Sequence, residues 1–163
     1  MNPKTLMAIG MLALAGAAAA GDGKLSGVRQ TVKVDARGGK VVLEVSVEND
    51  SGKLIYVPKA AFQDKELFGR TFDMTLQPDG TEVDYVGPMV KRGPFTKADF
   101  VAVKPGATRS NKIDITRSFA FAPGTHSYRL AYTGTVLGEL SQLASGTALA
   151  LSAPPANFTY SAN

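Results

Sequence analysis

Cysteine and tryptophan are missing from this 163-residue chain, and histidine occurs once, at position 126. Without cysteine there is no disulfide, no thiolate zinc site, no thiol nucleophile and no lipid-bearing cysteine. A zinc site of the HExxH kind needs two histidines and is excluded. A Ser-His-Asp triad would have to use His126, which follows the Pro123-Gly124 turn where a solvent-facing polar residue is ordinary, and no Gly-x-Ser-x-Gly accompanies it. Phosphate-cradling glycine motifs are absent, so no cofactor is expected. The 14 acidic residues lie mostly at turns or on strand faces, and no pair stands out for glycoside cleavage. Sugar binding usually wants exposed aromatic platforms, and the 5 Tyr and 8 Phe are needed mainly for a core.

Charge is similarly unspecific. The 18 basic residues give a net charge of +4, but never more than two stand together, whereas a nucleic-acid binder clusters them on one face. Asn49-Asp50-Ser51 could donate oxygens to calcium beside Asp22 or Asp79, yet it lacks a regular ligand series, and a turn accounts for it. The same tripeptide and Asn157-Phe158-Thr159 match the short N-glycosylation pattern.

With 44% hydrophobic and 20% charged residues, the composition is that of a folded domain and not of a disordered chain. Met1–Ala20 has one cation, Lys4, then an apolar stretch from Leu6 to Leu14, then small residues from Ala15 to Ala20. That order describes a secretory signal peptide cleaved after Ala19 or Ala20, with an apolar core too short for a bilayer span. A single domain over 21–163 is expected, periplasmic or secreted, with no membrane insertion after cleavage.

Period-two alternation dominates the remainder. Val41, Leu43, Val45 and Val47 alternate with Val42, Glu44, Ser46 and Glu48; Asn49-Asp50-Ser51-Gly52 breaks the strand, and Leu54–Val57 resumes it before Pro58. Phe72–Leu76 and Thr81–Val86 flank Gln77-Pro78-Asp79-Gly80, the clearest hairpin in the chain. Further strands are expected at Phe100–Val103, Arg109–Ile115, Ser127–Thr133, Thr147–Ser152 and Phe158–Tyr160, with Phe119 and Phe121 as a buried pair. Lys59–Phe68 reads as a loop or single turn, and Leu137–Ala144 as a helical turn or a bent strand. Seven or eight short strands separated by turn signals predict an all-β, immunoglobulin-like antiparallel β-sandwich. Tyr128, just after a turn, has the position of a corner tyrosine whose phenol bonds back to the backbone.

One stretch differs in character. In Asp84–Thr96, Pro88 and Pro94 bracket Lys91-Arg92, with Tyr85, Met89 and Phe95 nearby. Prolines reduce the entropy lost when a loop is held in one shape, and arginine and aromatic residues are common interface anchors. Two readings stand for Gly87–Phe95: a contact loop in which Lys91 and Arg92 supply charge and Met89 and Phe95 apolar anchors, or a cross-sheet connection whose Met89 and Phe95 fold inward while Lys91 and Arg92 face water.

The segments Tyr85-Val-Gly-Pro-Met-Val-Lys-Arg-Gly-Pro94, Phe100-Val-Ala-Val-Lys-Pro-Gly106, Ile113-Asp-Ile-Thr116 and Gly124-Thr-His-Ser-Tyr-Arg-Leu-Ala-Tyr132 together resemble the amino-terminal, non-catalytic domain of deuterolysin-like zinc metalloproteases, the aspzincins, which include peptidyl-Lys metalloendopeptidases. The likeness runs through most of residues 25–153 and is specific in Tyr85–Pro94. In that family a β-sandwich region, often a proregion, precedes a helical catalytic domain carrying HExxH and a downstream aspartate. Nothing here corresponds to the catalytic residues, so none is carried over, and no proteolysis by the purified protein is expected. The resemblance implies an exported, non-catalytic binding module whose partner is a protein, such as a zinc metalloprotease that it inhibits, helps to fold or docks. The alternative is a structural or surface-assembly immunoglobulin-like module of the cell envelope, and an enzyme on a sandwich scaffold is a third class.

Overall fold

The computed structural model describes residues 26–163, so Met1–Ala20, read above as a signal peptide, lies outside the described residues. Eleven strand segments appear in the order β1 (Val28–Arg37), β2 (Lys40–Asn49), β3 (Ile55–Pro58), β4 (Asp73–Gln77), β5 (Thr81–Glu82), β6 (Phe100–Val103), β7 (Thr108–Asp114), β8 (Gly124–Ala131), β9 (Thr133–Val136), β10 (Leu149–Ser152) and β11 (Ala156–Ala162). Among the described residues helix is confined to single turns: α1 (Lys59–Phe62) after β3, a 3₁₀ turn at Lys97–Asp99 before β6, and α2 (Gln142–Ser145) after β9. No helix among the described residues is long and apolar enough to cross a membrane.

All strand pairing among the described residues is antiparallel. The two larger sheets have the orders β1-β2-β7 and β11-β8-β4-β5. The remaining segments form two two-stranded sheets, β3-β6 and β10-β9. β3 follows β2 and pairs with β6, which precedes β7, while β10 pairs with β9 just as β11 pairs with β8. The eleven segments outnumber the seven or eight expected because β1 and β9 are not among the strands read from the pattern and β3 is separate from β2. Tyr56 and Leu137 exchange backbone hydrogen bonds of 2.8 and 3.0 Å, joining β3 to the chain just past β9. The fold is an all-β antiparallel sandwich.

The core follows from alternation. Val41, Leu43, Val45 and Val47 are fully buried, and the residues between them are half-buried. Each such burial contributes roughly 1.5–3 kcal/mol against leaving the side chain in water. Met74, Ile113, Tyr128 and Leu130 join the same core cluster from β4, β7 and β8. Phe72 packs on Tyr132 with ring centroids 5.0 Å apart. Phe119 is buried and Phe121 half-buried, and both lie outside the strands. The corner tyrosine has its expected backbone partner: the Tyr128 phenol accepts the Ala122 N–H at 3.1 Å.

The Pro-Asp-Gly turn works as its residues require. Gly80 takes φ +75°, a region side chains other than glycine rarely occupy, and the Asp79 carboxylate accepts the Thr81 N–H at 3.4 Å. β5 is shorter than its apolar pattern suggests, because the chain leaves the sheet after Glu82 to form a long connection. Two strands are not singled out by the sequence pattern. In β1 the inward series is broken by polar Gln30, and β9 continues β8 beyond Tyr132 with the short, glycine-containing run Thr133–Val136.

Buried polar groups fasten the loops to this frame. The Asn49 side-chain amide donates to the Lys53 and Val103 carbonyls at 2.7 and 3.0 Å, and its oxygen accepts the Ser51 hydroxyl at 2.6 Å. Asn49 is therefore the fully buried pivot of a turn, and its amide nitrogen is neither a surface glycan acceptor nor a loop ligand in the folded state. Asn111 on β7 donates to the carbonyls of Ala61 and Asp64 at 3.1 and 2.7 Å and accepts from Lys65 Nζ at 2.7 Å. It holds α1 and the segment that follows against the sheet edge.

Candidate functional site: the Asp84–Asp99 loop

Between β5 and β6 the chain runs outside the sheets for most of its length, yet it is fastened at several points. The Val86 N–H donates to Ser118 O at 2.8 Å, and the Ala120 N–H donates to Asp84 O at 2.9 Å, which brings Tyr85 opposite Phe119. Their rings meet edge-on with centroids 5.7 Å apart. The Tyr85 hydroxyl reaches the carbonyl oxygens of Leu67 at 3.1 Å and Pro88 at 2.8 Å. Burial pushes this phenol above its ordinary pKa, so it remains a donor through neutral pH. The Val90 N–H donates to Phe68 O at 3.1 Å, stitching the loop to the segment after α1.

The far end is tied by Thr96 and Asp99. The Asp99 carboxylate accepts the Thr96 N–H at 2.8 Å and its hydroxyl at 3.2 Å, while the Asp99 N–H returns to Thr96 O at 3.0 Å. The Thr96 backbone donor, with smaller help from the Thr96 hydroxyl and the Arg92 charge, holds the Asp99 carboxyl below the usual carboxylate range. Arg92 lies 3.6 Å from that carboxylate. Phe95 meets Phe100 edge-on at 6.1 Å, at the start of β6.

This restrained loop presents apolar side chains to water. Met89 is 78% exposed, Phe95 61%, Val86 59% and Val90 54%, and Phe68 beside them is 38% exposed. Apart from Leu54, these are the exposed large hydrophobic residues among the described residues. Met89 and Phe95 therefore do not fold inward as an ordinary connection would have them do. Lys91 and Arg92 are exposed as well. The four residues singled out in the sequence share one loop, but Val86, Val90 and above all Phe68 belong to the same surface. Phe68 carries no local signal for this; the hydrogen bonds from the Val90 N–H to its carbonyl and from the Tyr85 hydroxyl to Leu67 O bring it there.

Elsewhere the geometry is quieter. His126 Nε2 donates to Pro123 O at 2.8 Å, which is its hydrogen bond among the described residues, and no nucleophile is bonded to it. Among the described residues no three His, Asp or Glu side chains converge in a way that could hold a metal ion.

No protein-family model matches the chain. No curated protein matches it either. Among solved structures, a target of the Northeast Structural Genomics Consortium is 12% identical, with a TM-score of 0.46, covering 84% of this chain and 88% of that one. BslA, described as a bacterial hydrophobin, is 10% identical with a TM-score of 0.29, covering 85% of this chain and 97% of that one.

Proposed function

We propose that this protein is an exported, non-catalytic binding module that engages a protein partner through the Asp84–Asp99 loop. The observation that carries the reading is the run of exposed apolar side chains, Val86, Met89, Val90 and Phe95, on a loop already fastened to the sandwich. Apolar surface gathered in one place on a soluble domain usually marks a contact, and a loop held before binding loses less entropy when it docks. The resemblance of Tyr85–Pro94 to the non-catalytic region of deuterolysin-like metalloproteases supports a partner of that class. Inhibition, folding assistance and docking are all compatible with one such contact.

The test is calorimetric titration of the purified chain against a deuterolysin-like zinc metalloprotease catalytic domain. Binding is expected, and Met89→Ser with Phe95→Ser should weaken it at least tenfold, about 1.4 kcal/mol. Lys91→Ala with Arg92→Ala should weaken it by a smaller factor, mostly through association rate, because exposed charges act as steering groups. Full affinity in both double variants would remove the loop from the interface.

A further inference from the structure

Beside the loop lies a recess of about 200 Å³ lined by Phe68, Val90 and Phe95 together with Arg70, Arg92 and Asp64. It is smaller than the roughly 300–1,000 Å³ of pockets that enclose free small molecules. Between Val86 and Ala98 every charged side chain is a cation: Lys91, Arg92 and Lys97. Of these, Arg92 has a partner in Asp99, and the described residues provide no ion pair for Lys91 or Lys97. Arg70 is held in place by Asp73 and Glu82, so its guanidinium is a fixed wall of the recess.

We infer that the partner inserts an apolar side chain between Phe68, Val90 and Phe95 and surrounds it with carboxylates that meet Lys91, Arg92 and Lys97. This rests on the reading of the loop as a contact surface and adds the chemistry of what it contacts. Apolar walls select the knob; Arg92 at the recess and, on the same loop, Lys91 and Lys97, which have no ion pair among the described residues, select acidic neighbours and reject basic ones, Asp64 being the one carboxylate in the wall. An anionic bilayer would also be drawn to these cations, but it would meet the protruding Met89 and has no knob for the recess. The recess therefore favours a protein surface.

The experiment uses the purified, isotope-labelled chain and two synthetic hexapeptides with a shared Leu-Phe centre, one flanked by Asp and Glu, the other by Lys. The acidic peptide should shift the amide resonances of Phe68, Val90 and Phe95 saturably at millimolar concentration, at least fivefold less at 0.5 M NaCl than at low salt. Lys91→Gln with Arg92→Gln should weaken that response several-fold while leaving the spectrum otherwise dispersed. The Lys-flanked peptide should leave the three amides in place. Equal shifts from both peptides, or none from the acidic one, would overturn the inference. So would retention of the protein on phosphatidylglycerol vesicles with these same resonances broadened and no response to the acidic peptide. If the metalloprotease domain binds through the loop while neither peptide does, the acidic-knob chemistry falls and the loop reading stands.

Discussion

The Tyr85 hydroxyl lies 2.8 Å from the carbonyl oxygen of Pro88, three residues further along, so the loop is folded back onto the ring that precedes it. The same hydroxyl is 3.1 Å from Leu67 O, a group that arrives from the segment after α1. Removing it with Tyr85→Phe keeps the ring packed on Phe119 and deletes only these contacts. Stability in urea should fall by about 1 kcal/mol, and the Val90 amide should exchange faster with solvent. An unchanged Val90 exchange rate would show that the phenol does not set the loop's shape.

Gly87 sits under that phenol. A β-carbon at this position would stand 2.6 Å from the Tyr85 hydroxyl oxygen, well inside contact distance. Gly87→Ala should therefore displace the phenol and reproduce the exchange signature of Tyr85→Phe. In the double variant the two effects should fail to add, because both remove one interaction. Additive losses in a double-mutant cycle would separate the two sites.

Gln30 is the outlier of the core. It is 1% exposed, and neither its side-chain oxygen nor its nitrogen finds a hydrogen-bond partner among the described residues. Gln30→Met, close in volume and without an amide, should raise stability by about 1–2 kcal/mol. A loss of stability in thermal or urea unfolding would mean that the amide is satisfied in solution.

Asp99 links loop anchoring to pH. Its folded pKa is lowered, chiefly by the Thr96 N–H, so the stability it contributes is present above the unfolded carboxylate value and is lost as pH falls through the folded one. An NMR titration of the Asp99 carboxyl should give a midpoint below about 3.9, the usual aspartate value. The Thr96 amide should lose protection over the same acidic window. Asp99→Asn should show that loosening already at neutral pH, and a normal midpoint in the wild type would contradict the anchoring role.

Asn111 should be among the costly polar positions. Asn111→Ala leaves the Ala61 and Asp64 carbonyls without their amide donors and frees Lys65. The expected loss is roughly 2–3 kcal/mol, since one of those carbonyls is buried with its residue. A change within 0.5 kcal/mol, about the size of an ordinary surface substitution, would show that α1 is held by packing alone.

Much of the sandwich was readable because a strand's side-chain period is local. Val41 to Val47 announce a half-buried strand from their own order, and Pro78-Asp79-Gly80 announces a turn through φ preferences and a side-chain acceptor that act within four residues. The loop has no such period. Met89 and Phe95 are as hydrophobic as core residues, and their own neighbours in sequence do not say which way they face. That Tyr85, Met89, Lys91, Arg92 and Phe95 form one stretch was visible; that Phe68 joins them was not.

The amino-acid order alone thus determined the strand-rich character, the main turns, the absence of thiol and two-histidine chemistry, and the segment most unlike the rest. Tertiary structure decided what depends on distant partners: the outward face of Met89 and Phe95, the pinning of Tyr85 by Leu67, the burial of Asn49 and Asn111, and the Gln30 amide that finds no partner among the described residues. Alternation and turn preference are properties of a few consecutive residues, whereas exposure and hydrogen-bond satisfaction depend on which remote parts of the chain arrive alongside.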